Sequence, residues 1–202
     1  MILLKTNNFN HMKKLLFIVT FSLITIFSFA QQLDSTALII IDIQDFYFPG
    51  GAAELVEPEK AAEQASLVLE YFRKNDGLVI HVKHKVKAGG EIYKTVVPID
   101  GEKVFTKSEV SCFNGTGLND FLESKSIKDV VLVGMQTHMC LEGGTRAAYD
   151  LGYKCTVIAD ACATRDLKYG ETTVKAADVH ASTLATLKSY AKVVGLDEYL
   201  NQ

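Results

Sequence analysis

Residues Val130–Arg146 read VVLVGMQTHMCLEGGTR. Val130–Val133 is a valine-rich apolar run bounded by Gly134, the pattern of a strand buried on both faces. Leu141–Leu151 then reads as a helix, and Gly152 is its stop. Cys140 falls between the two. A buried parallel strand feeding a helix places that thiol at the carboxyl end of a sheet, where open α/β folds bind ligands. The helix N-terminus also favours negative charge and is expected to lower the thiol pKa toward the nucleophilic thiolate. Cys140 is therefore the leading candidate nucleophile.

The same alternation runs outward from this stretch. Ala37–Ile41 is a continuous apolar strand ending at Asp42. Glu57–Lys74 has helical spacing, with Ala61, Ala65, Val68, Leu69 and Phe72 on one face, and Asn75-Asp76-Gly77 ends it with turn chemistry. Leu78–Val82 is a second strand. Lys83–Gly101 is a polar excursion near the sheet edge, Lys103–Thr106 a short strand and Gly117–Ser124 a helix. After the central stretch come a strand at Lys154–Ala159, a long helix at Thr172–Ser189 and a final short strand at Ala191–Val194. Strands alternating with helices predict one three-layer α/β/α domain with a mostly parallel central sheet of about six strands.

The 202-residue chain is 48% hydrophobic and 22% charged, enough for one domain with a real core. A net charge of −3 and the lack of any Lys/Arg run argue against nucleic-acid binding. At the N-terminus, Lys13-Lys14 precedes the apolar block Leu15–Phe27 and then Ser28-Phe29-Ala30. A basic region, a short apolar core and a small-x-small site describe a secretory signal peptide. The block is short for a membrane span, and an uncleaved anchor is the competing reading. Met12 sits where such a signal would start, so residues 1–11 read as an upstream-start extension. Residues 1–30 are assigned to the signal and 31–202 to the domain. The product is expected to be exported, periplasmic or secreted, with no membrane attachment after cleavage.

Export would place Cys112, Cys140, Cys155 and Cys162 in an oxidising compartment, where thiols tend to pair. Four cysteines allow three full pairings, and the sequence does not choose among them. A domain of this size needs no such staple.

Asp42, Lys107 and Cys140 each sit at or just after a strand end, so the fold can bring them into one pocket. A carboxylate can take a thiol proton, and an ammonium can hold that carboxylate and stabilise the thiolate. Taken singly, each has a plain alternative: Asp42 as a turn residue, Lys107 as a solvated surface lysine.

Three blocks then resemble the isochorismatase-like cysteine hydrolases, the superfamily that includes nicotinamidases and N-carbamoyl amidohydrolases. They are Ile39–Gly51 (IIIDIQDFYFPGG), Lys107–Leu118 (KSEVSCFNGTGL) and Val133–Gly152 (VGMQTHMCLEGGTRAAYDLG), followed by Val157–Thr164 (VIADACAT). The resemblance covers nearly all of residues 31–202. It implies a catalytic triad of Asp42, Lys107 and Cys140 and an oxyanion hole of the Gln136 and Cys140 backbone N–H groups. It also implies a cis peptide before Gln136. The reaction implied is C–N hydrolysis of a small amide or carbamoyl-type substrate through a thioester, with no cofactor. Family members often form dimers or larger assemblies, so the resemblance leaves a homo-oligomer open, and a small-molecule substrate is the partner expected.

Departures bear on the substrate. Nicotinamidases of the superfamily carry an Asp-x-His metal cluster after the second strand, whereas this chain has VIHVKHK at Val79–Lys85. His81 and His84 lie three apart, on opposite faces of a strand, which is wrong for joint ligation. No metal is therefore expected, and His84 reads as a pocket residue. Phe46, Tyr47, Phe48, Phe113 and His138 are further pocket candidates, although at least one of the first three is expected in the core. His180 reads as a packing histidine on a helix. Two alternatives remain: an isochorismatase-type vinyl-ether hydrolase, which would not use Cys140, and a non-catalytic or redox member of the fold pairing Cys140 with Cys112 or Cys162.

Overall fold

The structure, a computed structural model, describes residues 33–201. The signal peptide and upstream-start readings fall outside the described residues. Within them, no helix is long and apolar enough to cross a membrane.

Among the described residues, eight strands and five α-helices follow in order. They are β1 (Thr36–Ile41), α1 (Pro58–Lys74), β2 (Leu78–His84), β3 (Lys103–Lys107), α2 (Leu118–Ser124), β4 (Asp129–Met135), α3 (Glu142–Asp150), β5 (Lys154–Ala163), β6 (Leu167–Tyr169), β7 (Thr172–Val174), α4 (Ala176–Leu187), β8 (Ala191–Val194) and α5 (Leu196–Leu200). Six strands form one sheet in the order β3-β2-β1-β4-β5-β8, every pair parallel. The unbroken apolar run of β1 is explained by burial of all six of its residues.

Side chains alternate across the sheet. Leu38, Ile40, Val79, Val131 and Val133 join the core under α1, where Ala61, Ala65, Val68, Leu69 and Phe72 form the helix's inward stripe. Ala37, Ile39, Ile41, Ile80, Val82, Val130 and Leu132 join the opposite core, which takes Leu118 and Leu122 of α2, Ala148 of α3 and Leu187 of α4. Each large side chain buried this way contributes about 1.5–3 kcal/mol.

Strand order reverses between β1 and β4, so a crevice opens at their carboxyl ends. Gly134 shapes that crevice. Its φ is +135°, and a Cβ there would run into the Ile41 carbonyl, so only glycine lets β4 close on β1 at this point. The β4–β5 register slips between Leu132 and Gly134, which re-aims the chain as it leaves the sheet.

Several boundaries differ from the sequence reading. The helix expected over Thr172–Ser189 starts at Ala176, because Thr172–Val174 pairs with Leu167–Tyr169 as a hairpin. The β-branched run Thr172-Thr173-Val174 after a Gly170 turn favours that strand over a helical turn. Asp166 accepts the Ala176 N–H at 2.8 Å and marks the true helix start. The strand expected at Lys154–Ala159 runs on to Ala163, and β2 extends to His84. The terminal helix α5, absent from the sequence reading, is capped by Asp160, whose carboxylate accepts the Leu196 N–H at 3.0 Å.

Candidate active site

The ends of β1, β3 and β4 deliver one functional side chain each. Asp42 follows β1 with φ +53°, in the left-handed region that aspartate tolerates better than most side chains. Its N–H donates to the Val82 carbonyl at 2.9 Å, which fixes the turn against β2. Outliers of this type concentrate at functional sites. Lys107 closes β3. Cys140 lies in a π-helical turn, Thr137–Leu141, between β4 and α3. The Met135–Gln136 peptide leading into that turn is cis. The Gln136 carbonyl then accepts the N–H groups of Met139 and Leu141 at 3.0 and 3.3 Å.

These placements bring the three side chains together. Lys107 Nζ lies 2.7 Å from Asp42 Oδ2, and both side chains are 0% exposed. The same ammonium donates to Cys140 Sγ at 3.2 Å and to the Glu109 carbonyl at 3.1 Å, and it lies 3.0 Å from His84 Nδ1. Cys140 is 5% exposed.

Electrostatics follow from burial. Desolvation pushes the Asp42 carboxyl above its ordinary value, against the pull of the Lys107 charge. Burial alone would lower Lys107, but the charges of Asp42 and then Cys140 reverse this and hold it above its ordinary value. Burial and then the Asp42 charge push the Cys140 thiol up to about 12. This corrects the expectation of a depressed thiol pKa. The dipole argument assumed a thiol at an exposed helix start, whereas Cys140 is enclosed beside a carboxylate. At neutral pH these shifts leave Cys140 a thiol and Lys107 an ammonium. Cys112, Cys155 and Cys162 are likewise buried, free and pushed up to about 12.

Asp42, His84 and Cys140 place an oxygen, a nitrogen and a sulfur within 4.8 Å of one another, a donor set that resembles a cation site. The Lys107 ammonium reaches all three, so the set is already served by a cation of the chain's own. His81 turns away, with Nε2 2.8 Å from Glu102 Oε2 in a network completed by Arg73. The two histidines thus do not converge.

The pocket residues divide. His84 belongs to the buried centre. His138 is half-buried, two residues before Cys140 in the chain, with Nδ1 2.6 Å from Thr164 Oγ1. Burial, then the charge of Arg165, lowers its pKa. The aromatic assignments are corrected. Phe46 and Phe48 are core residues, Phe48 stacking on Tyr93 with centroids 3.4 Å apart. Phe113 stacks on Tyr153, the residue that leads into β5. Tyr47 is the aromatic that faces the site, against the Gln136 side chain, and burial raises its phenol. His180, on α4, meets the Thr137 hydroxyl at 2.9 Å, as a packing histidine would.

Sequence reasoning missed Gln44. Fully buried, it accepts the His84 N–H at 2.7 Å and donates to the carbonyls of His84 and Gly90 at 3.1 and 2.7 Å. Its signal was present in the Asp-x-Gln of the Ile39–Gly51 block, two residues after Asp42.

A three-layer α/β/α domain with a thiol, a carboxylate and an ammonium in one buried crevice at the strand-order switch point has the architecture of an isochorismatase-like hydrolase. The family model for the isochorismatase domain matches residues 36–189, and the chain belongs to that family of hydrolases. It is 38% identical over 178 residues to the isochorismatase family protein YddQ of Bacillus subtilis, covering 82% of this chain and 99% of that one. It is 27% identical over 140 residues to streptothricin hydrolase of Streptomyces noursei, covering 65% of this chain and 50% of that one. The crystal structure of an isochorismatase hydrolase from Oleispira antarctica superposes with a TM-score of 0.81 at 40% identity, covering 84% of this chain and 97% of that one.

Proposed function

We propose that this chain is a cysteine-dependent hydrolase that cleaves the C–N bond of a small amide or carbamoyl-type substrate through a thioester on Cys140. The observation that carries the reading is the buried contact of Lys107 Nζ with both Asp42 Oδ2 and Cys140 Sγ.

The resting thiol needs a base, and Asp42, its proton affinity raised by burial, is that base. As Asp42 takes the proton, Cys140 attacks the substrate carbonyl. Lys107 stays charged throughout and balances first the carboxylate and then the thiolate. The oxyanion of the tetrahedral intermediate is assigned to the Gln136 and Cys140 backbone N–H groups, each such donor typically worth roughly 3–4 kcal/mol of barrier. Asp42 returns its proton to the departing amine or ammonia. It then activates the water that opens the thioester.

The Lys13–Ala30 pattern supports an exported enzyme. Burial of Cys140 is what such an address requires, because oxidation tracks thiolate character and exposure. Ammonia release should be measured across a panel of small amides, ureides and carbamoyl compounds. Turnover of at least one compound by the wild type and none by Cys140→Ala, with the fold retained, is the expected result. A Cys140→Ala variant that hydrolyses the same compound at the wild-type rate would overturn the mechanism.

A further inference from the structure

The Lys107 ammonium has more partners than hydrogens. Asp42 Oδ2, His84 Nδ1, Glu109 O and Cys140 Sγ all lie within 3.2 Å of Nζ, which carries three N–H donors. The Asp42 carboxylate and the Glu109 carbonyl can only accept. One hydrogen is left for two claimants, His84 Nδ1 and Cys140 Sγ.

We propose that His84 is a positioning residue that shares this one Lys107 hydrogen with Cys140, holding it in the resting enzyme and yielding it to the sulfur as the thiolate forms. The inference rests on the catalytic reading of Asp42, Lys107 and Cys140. A thiol sulfur is a weak acceptor and a neutral imidazole nitrogen a good one, so in the resting state the hydrogen belongs to His84. When the Sγ proton passes to Asp42, the sulfur gains a full charge and outcompetes the imidazole. The centre loses one carboxylate charge and gains one thiolate charge, and the ammonium remains, so its net charge does not change.

His84 is built for this position. It pairs in register with Lys107 across β2 and β3. All the hydrogen bonds recorded for the buried Gln44 side chain go to the His84 backbone and to Gly90, which pins the residue without touching its ring. The ring is half-buried, and an open depression of about 470 Å³ reaches it from the far side. The ionisable groups facing the ring are Asp42, Lys107 and Cys140 on the inside, with the exposed Glu109 beside them. Lys83, Lys85, Lys87 and Glu91 line the depression on the outside. Burial and then the Lys107 charge lower the His84 pKa and keep the ring a neutral acceptor.

The test is the pH profile of Cys140 alkylation by iodoacetamide, read by peptide mass spectrometry in wild type, His84→Ala and His84→Asn. Alanine removes the competitor. The thiolate should then form at lower pH, and Cys140 should be alkylated about 3–10-fold faster at a pH below the wild-type midpoint, the size of one net hydrogen bond. Asparagine can place an amide oxygen near the Nδ1 position and should restore the wild-type profile. Three coincident profiles, or an asparagine variant that follows alanine, would overturn the proposal. Equal labelling of all four thiols in the wild type would instead remove the catalytic reading beneath it. The two failures are therefore distinguishable.

Discussion

Asp42 and Lys107 form an ion pair of 2.7 Å with no solvent on either side chain, and its energetics can be tested apart from any substrate. Asp42→Asn keeps the shape, one acceptor oxygen and tolerance of the left-handed φ, but removes the charge. Lys107→Met keeps the length and removes the other charge. Breaking a buried pair from one side leaves an uncompensated charge and typically costs about 3–5 kcal/mol. Each single variant should lose about that much. Removing both partners together should cost far less, because a buried pair replaced by neutral groups is close to neutral in stability. Urea unfolding followed by circular dichroism at pH 7 would give the four free energies by linear extrapolation. A coupling of about 3 kcal/mol or more is expected, well beyond the roughly 0.5 kcal/mol within which independent sites add. The pH slope gives a second check. In Asp42→Asn, burial acts on Lys107 without its counter-charge and lowers its folded pKa, so the unfolded chain binds more protons. Stability should then rise with pH up to the ordinary lysine range. Additive single and double variants, or an Asp42→Asn protein indifferent to pH, would refute the account of the centre as a mutually dependent charge pair.

Other outcomes follow from neighbouring features. Glu102, held by Arg73, Ile99 N–H and His81, has its carboxyl lowered from 4.5 to about 2. The stability it contributes, about 3 kcal/mol at most, is present above pH about 4.5 and lost as the pH falls toward about 2. Glu102→Gln should flatten that acid limb in thermal melts between pH 2 and 5. Gly134→Ala should lose more than about 3 kcal/mol in urea unfolding, since it adds backbone strain at φ +135° to a collision with the Ile41 carbonyl. Gln44→Leu should leave the β1 core intact yet free the His84 backbone. The readout is faster amide exchange at His84, with Cys140 alkylation changed in the same direction as in His84→Ala.

The sheet was legible because its interior strands are buried on both faces and read as plain apolar runs. Ala37–Ile41 and Val130–Val133 needed no context to be recognised, and the turn chemistry at Asn75-Asp76-Gly77 closed α1 on time. The convergence of Asp42, Lys107 and Cys140 was legible because each sits at a strand end or in the turn that follows one, at the same edge of the sheet. What escaped the reading depends on tertiary contacts. Nothing local distinguishes Phe46 or Phe48 from Tyr47. Which of them meets the site is decided by how residues 85–102 fold back over the segment, tied by Phe46 N–H to Gly89 O and Tyr93 N–H to Ile43 O. The Cys140 pKa depended on its enclosure beside Asp42. A single sequence supplies the helix start but not the neighbour. The hairpin at Leu167–Val174 lay within a segment whose composition suits a helix as well, and the Asp166 cap became decisive only in three dimensions.

The central claim is that Cys140 alone among the four thiols does the chemistry. The most direct measurement is iodoacetamide titration of the native wild-type enzyme, with peptide mapping of the label and ammonia release followed in the same samples. One label per chain is predicted, on Cys140, with hydrolysis falling in proportion to it. Label spread evenly over Cys112, Cys140, Cys155 and Cys162, or hydrolysis that persists once Cys140 is fully blocked, would contradict the account.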